Sequence, residues 1–187
     1  AIKTALTFLK QLNISLPEEP TQEEIGLALQ KMQDSLSDKS IRSLIDLPIM
    51  TTPHKILAMR IMGAIIGATY VASPGLMILV VLKQVDLSLK YGNLSESSYS
   101  YALYGLILCG VVGKTESGYQ FGQLALDLLK RLDEKGLQVS AVHVFNGHVR
   151  FWKEHLRETL PPLLGNYQTG LETGNLEMTG YSVQMYT

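Results

Sequence analysis

The chain has 187 residues, enough for one or two compact domains with a real core. Sixteen basic side chains against seventeen acidic ones leave a formal net charge of −1, so no field of one sign is available for phosphates and a nucleic-acid partner is not expected. The one cysteine, Cys109, cannot close an internal disulfide, which fits a reducing, cytoplasmic setting.

Residues 1–12 set Ile2, Ala5, Leu6, Leu9 and Leu12 on one helical face, as in the last helix of a preceding repeat. Pro17 and Pro20 forbid a helix through the connector that follows. Thr21 and Glu24 form a capping box, and the helix it opens carries Ile25, Leu27, Ala28, Leu29, Met32 and Leu36. Ile41 to Leu47 suggest a short helix stopped by Pro48, and Thr52-Pro53 suits the cap and first turn of the next. The chain does not open on Met and shows no signal-peptide pattern, so it reads as a piece of a longer protein.

From residue 53 a repeat is expected. Helix pairs fall over 53–91, 95–134 and 138–173, each broken once, and a further helix starts in 176–187. The second helices begin at Pro74, Thr115 and His155, spaced by 41 and 40 residues. Gly92-Asn93-Leu94 recurs as Gly174-Asn175-Leu176, 82 residues later, and Lys135-Gly136-Leu137 takes the equivalent middle place. A Gly there can end a helix in the left-handed conformation. In the middle pair, Phe121, Leu124, Ala125, Leu128, Leu129 and Leu132 make one apolar stripe, while the preceding helix is apolar on most faces and needs neighbours on several sides. Small residues at Gly63, Gly67, Gly105, Gly118 and Gly122 suit close helix crossings. The expected fold is therefore all-α, an α-solenoid of antiparallel helix pairs with a period near 40, longer than the about 34 residues of a tetratricopeptide repeat but similar to it in kind. It forms one domain over 1–187, with 1–52 as N-terminal helices and connector.

Ile61 to Leu82 is a run of 22 residues without a charge, long enough for a membrane span. Ser73-Pro74-Gly75 splits it into a helix end and a helix start, so a buried hairpin is expected and no membrane partner. Gly113-Lys114-Thr115 imitates the end of a phosphate loop but has Leu108 where the earlier Gly belongs, and reads as a turn. His143 and His148 stand five apart, about 140° around an α-helix, and His148 and His155 are separated by about 10 Å of rise. Neither pair, nor His54, makes a zinc site. Glu116, Glu154 and Glu158 sit near helix starts, where the dipole explains them. Cys109 has no cationic neighbour to activate it toward His143. No catalytic, cofactor-binding or metal-binding residue is assigned.

Aromatics are the remaining signal. Phe151 and Trp152 lie between Arg150 and Lys153 at a helix junction, and Tyr99, Tyr101, Tyr104 and Tyr119 cluster in the middle pair. If the first helices line the concave face, the candidate partner surface is Tyr99, Tyr101, Tyr104, His143, Asn146 and Arg150. The alternative is a small-ligand sensor with an apolar pocket near Tyr70, Met77 and Tyr104.

The runs LPIMTTPHKILAMRIM, LSLKYGN with YSYALYGLILCGVVG, GYQFGQLALDLL and HVFNGHVRFWKEHLRETLPPLLGNYQTGLETGNLE resemble the helical region of large cyanobacterial multi-sensor signal-transduction kinases. The likeness covers nearly the whole chain. It implies a helical region set among a Ser/Thr kinase domain, an AAA-type ATPase domain, a GAF sensor and a histidine-kinase module. None of the family's catalytic motifs falls in this chain. The implied role is non-catalytic: a scaffold for a protein partner, or a coupler between flanking domains, with a homodimer through the cut apolar ends as a further possibility.

Overall fold

A computed structural model describes residues 1–132 and 136–186. These are all-α, with an isolated parallel bridge between Ile49 and Asn93 and no strand among the described residues. The α-helices are α1 (Ile2–Gln11), α2 (Gln22–Leu36), α3 (Pro53–Ala64), α4 (Ile66–Ala72), α5 (Pro74–Tyr91), α6 (Ser95–Ile107), α7 (Thr115–Leu132), α8 (Gln138–Val144), α9 (Leu160–Thr173) and α10 (Leu176–Tyr186). Where the repeat pattern predicts one domain, the chain divides into two compact units, 1–97 and 98–187. The end of the helix predicted over 115–134, the first residue of Lys135-Gly136-Leu137, and Thr187 lie outside the described residues.

The first unit is built around α5. Its run of Leu, Met and Val is apolar on most sides, and α2, α3 and α4 pack against it, burying Leu76, Val80, Val81 and Val85 completely. The split at Ser73-Pro74 falls as the sequence predicts: α4 ends at Ala72 and Pro74 opens α5, although the Ser73 side chain makes no capping bond. At α2 the capping box closes in full, with the Glu24 amide donating to Thr21 Oγ1 at 3.2 Å and the Thr21 amide to Glu24 Oε2 at 2.8 Å.

The helix expected over 53–72 is not continuous; α3 and α4 meet at Ile65 with a bend of 44°. Thr69 supplies the reason. Its buried hydroxyl donates back to the carbonyls of Ile65 at 3.0 Å and Ile66 at 2.9 Å, a competitor to the helix ladder that bends helices, and Gly63 and Gly67 flank the break.

At the far end of α5, Gly92 has φ +101°, and a Cβ there would strike the Pro48 carbonyl. That approach lets the Asn93 amide donate to Pro48 O at 2.7 Å while Asn93 Nδ2 donates to Leu44 O at 2.8 Å. Gly92→Ala is expected to break this splice, at roughly 1–3 kcal/mol for the forced conformation alone, read by urea denaturation.

The second unit centres on α6 and α7. Tyr101, Tyr104 and Phe121 form its aromatic core, with the Tyr104 ring edge-on to Phe121 at 4.8 Å between centroids and Tyr101 at 5.9 Å. The α7 stripe is buried as its periodicity predicts, through Phe121, Leu124, Ala125, Leu128 and Leu129. α6 runs into a π-turn at Leu108–Val112 and is capped by Gly113 in the left-handed conformation, so Gly113-Lys114-Thr115 is a turn between helices.

The two helices predicted over 138–151 and 154–173 are irregular. The first is α8, then a π-turn at Phe145–Val149 and a 3₁₀ turn at Arg150–Trp152. Phe145 packs where Gly122 of α7 has no side chain, and Asn146 Nδ2 bonds back to Val142 O at 2.9 Å. The second starts as a 3₁₀ turn at Leu156–Thr159 and becomes regular only at Leu160, because Pro161-Pro162 fits a first turn and no later one.

Side chains at matching distances from Gly92 and Gly174 have comparable roles. Gln84 and Asn166 each stand eight residues before the junction glycines Gly92 and Gly174. Each donates its amide across to a backbone carbonyl of an earlier helix: Gln84 to Met59 O of α3 at 3.1 Å, Asn166 to Val139 O of α8 at 2.9 Å. Five residues after each glycine stand Ser97 and Thr179. Ser97 bonds Ser88 at 2.7 Å, and Thr179 fills the space left by Gly170.

Candidate functional site

Of the six residues predicted to form a partner surface, five are interior. Tyr99, Tyr101, Tyr104, His143 and Asn146 are between 0 and 8% exposed, and Arg150 is half-buried. Helices that are apolar on most faces acquire neighbours on those faces, and the tyrosines turn inward with the rest. Burial pushes the Tyr104 phenol up to about 12 and raises Tyr99 further, with Glu177 adding to the effect. These are core groups, and the concave-face assignment does not survive for the buried five.

The structure instead brings two of them into polar clusters. In the first, Arg150 donates to Glu154 Oε2 through Nε at 2.9 Å and Nη2 at 2.7 Å, and to Asn146 Oδ1 through Nη1 at 3.2 Å. Tyr119 from α7 donates its hydroxyl to the same Glu154 carboxylate, and Gln123 donates to Tyr119 at 3.0 Å. The Arg150 guanidinium, and then the Tyr119 hydroxyl, hold Glu154 below the usual carboxylate range. Nearby, Lys153 pairs with Glu116, which lowers that carboxyl too. Of the carboxylates near helix starts, Glu116 and Glu154 are thus engaged as clamps between α7 and the 150–154 turn. Glu154→Gln is expected to cost at most about 1 kcal/mol by chemical denaturation, since the pair is reached by solvent.

In the second cluster, a spacing that separates histidines on an α-helix joins them. The π-turn at Phe145–Val149 adds a residue to the turn, so positions five apart share a face. The rings of His143 and His148 meet edge-to-face with centroids 5.4 Å apart, correcting the expectation of opposite faces. Ser182 of α10 lies 3.3 Å from His143 Nδ1 and accepts from Asn166 Nδ2 at 2.9 Å. Burial, then the neighbouring His148, takes His143 down to about 4; burial also lowers His148. Sequence reasoning missed Ser182 and Asn166, which gave no local signal. Asn146-Gly147, poor helix formers between the two histidines, were the one hint of the π-turn.

Cys109 is packed with Phe145 and Val149, its thiol directed at the Thr115 carbonyl at 3.8 Å and pushed up to about 11 by burial. No group of three or more His, Cys, Asp or Glu side chains among the described residues is placed to hold a metal ion. Of the predicted apolar pocket, Tyr70 is exposed, while Met77 belongs to the core of the first unit and Tyr104 to that of the second. An open groove of about 390 Å³ lies at α1, lined by Lys3, Leu6, Thr7, Lys10, Ser15, Leu16 and Glu18, with Lys3 paired to Glu18 at 3.2 Å.

The exposed counterpart of the predicted surface is the turn itself. Phe151 and Trp152 stack with centroids 6.0 Å apart and remain 41% and 47% exposed, with Leu156 beside them in sequence at 63%. Among the described residues no single helix is long and apolar enough to cross a membrane; the bent pair α3–α4 meets that test by length and composition only.

The chain is similar to hybrid signal transduction histidine kinase G of Dictyostelium discoideum, at 21% identity over 200 residues. The similarity covers 97% of this chain and 6% of that protein, so the chain spans a small part of the relative's length. No family model matches the sequence, and no solved structure does.

Proposed function

We propose that this chain is a non-catalytic helical-repeat segment of a signal-transduction protein. It acts as a tetratricopeptide-like scaffold that binds a protein partner or couples neighbouring domains. One observation carries the reading: an exposed, stacked Phe151–Trp152 pair on a turn braced by Arg150–Glu154 and Lys153–Glu116. Exposed aromatics on a rigid support are what interface anchors require. The buried polar side chains of the second unit support the same reading, because Asn166, Ser182 and Asn146 are spent on bonds between or within helices. The similarity to a signalling histidine kinase supplies the context. The kinase chemistry of that relative is proposed for no residue here.

The test is a binding assay. The immobilised chain is challenged with histidine-kinase, GAF and ATPase modules of the kind the resemblance implies. Phe151→Ala with Trp152→Ala is expected to weaken retention at least tenfold while leaving the helical circular dichroism spectrum unchanged, about the effect of losing one interface anchor. Retention equal to wild type by the double variant would remove this turn from the interface.

A further inference from the structure

Helix α10 is seated on α8 and α9 over a buried histidine, which it contacts through Ser182. Ser182 Oγ donates to its own helix at Met178 O, 2.8 Å away, and accepts from Asn166. Its proton is thus committed, so in the 3.3 Å contact His143 Nδ1 is the donor, and Nε2 is left unprotonated. The π-turn places the His148 ring against this imidazole. Gly147 lies directly beneath α10 beside the pair: a Cβ there would make ordinary contacts with Met185 Cγ at 3.5 Å and His143 Cε1 at 3.6 Å. Tyr181 of α10 covers the His143 ring at 5.9 Å.

Among the described residues, the titratable and charged groups of the surrounding elements offer no counter-ion. His148 is the charge-bearing neighbour that acts on His143 among the described residues. From α10 come the Tyr181 phenol and Glu177, whose field falls on Tyr99. From α9 come neutral Asn166 and Glu172, which is engaged at the surface by Gln168. On α7, Asp127 pairs with Lys130 in solvent. Beyond the π-turn, Arg150 is held by Glu154. A proton on either imidazole therefore puts a buried cation beneath α10 with no counter-ion among the described residues, and a second proton adds repulsion between the rings.

We propose that the His143–His148 pair is a proton-sensitive latch, whose protonation releases α10 (Leu176–Tyr186) from its seat on α8 and α9. The sign follows from burial. The folded-state values lie below the ordinary histidine value, so a released α10 binds protons more readily than a docked one. Docking is at full strength above about pH 6.5 and is lost progressively as pH falls toward 4. With His143 at about 4 when docked, that histidine alone raises the opening constant about 30-fold between pH 7.5 and 5.0.

Hydrogen–deuterium exchange on the intact chain at pH 7.5, 6.0 and 5.0, corrected for intrinsic rates, tests this. Amides of 176–186 are expected to lose at least tenfold in protection by pH 5.0 while those of α7 hold theirs. His143→Gln and His148→Gln, each unable to take the charge, should flatten the response. Unchanged α10 protection, loss in step with α7, or an acid response that survives in both variants overturns the proposal. Should the variants not fold, histidine Cε1–H titration of the wild-type chain decides: a His143 midpoint at or above 6.5 overturns the latch, and one well below it supports it.

Discussion

Tyr104→Ala is expected to destabilise the second unit by about 3–5 kcal/mol, the range for deleting a buried aromatic side chain. Tyr104 is 1% exposed and its ring meets Phe121 edge-on at 4.8 Å, so truncation opens a cavity at the crossing of α6 and α7. At roughly 2–4 °C per kcal/mol for a chain of this size, thermal melting by circular dichroism should shift down by about 6–20 °C. Tyr167→Ala is the matched control, since Tyr167 is exposed on α9, and should move the midpoint by no more than about 2 °C. Equal small shifts for both would show that Tyr104 is not a core residue. The variant also guards against a misreading: reduced partner binding by Tyr104→Ala would report unfolding, because its side chain has no surface to offer.

Gly118→Ala is expected to cost about 2–3 kcal/mol although it adds one methyl group. The new Cβ would collide with Cys109 Sγ and stand 2.7 Å from the Gly105 carbonyl; reciprocally, a Cβ on Gly105 would stand 2.6 Å from the Gly118 carbonyl. Backbone lies on one side of each clash, so the helices must separate and the Tyr101–Tyr104–Phe121 packing loosens with them. Gly110→Ala, where a Cβ meets nothing within 4 Å, should change stability by less than about 1 kcal/mol. Adding Cys109→Ala to Gly118→Ala should recover only part of the loss, because the Gly105 carbonyl remains. Urea midpoints for the four proteins measure this, and a Gly118→Ala midpoint equal to that of Gly110→Ala would show that α6 and α7 do not cross there.

Local signals carried most of the element list. The Thr21–Glu24 box, Pro53 and Pro74 at first turns, and the α7 stripe act within one or two helical turns, so periodicity and capping chemistry expose them directly. The breaks at Ile65 and Phe145–Val149 were not legible. Each arises where side chains compete with the helix ladder or pack across to another helix, as Thr69 and Phe145 do. The partner surface failed for a related reason. Tyr99, Tyr101 and Tyr104 carry a polar tip on an apolar body, and periodicity alone does not say whether a neighbour covers it.

Sequence by itself determined that the chain is helical, where α5 begins, and that Gly92 and Gly174 end helices at positive φ, because caps, prolines and glycines act through the local backbone. Tertiary structure alone decided which aromatics are exposed. It also decided that His143, His148, Ser182 and Asn166 meet. Burial is a property of neighbouring elements, and the inserted residue of a π-turn rotates everything after it onto a different face.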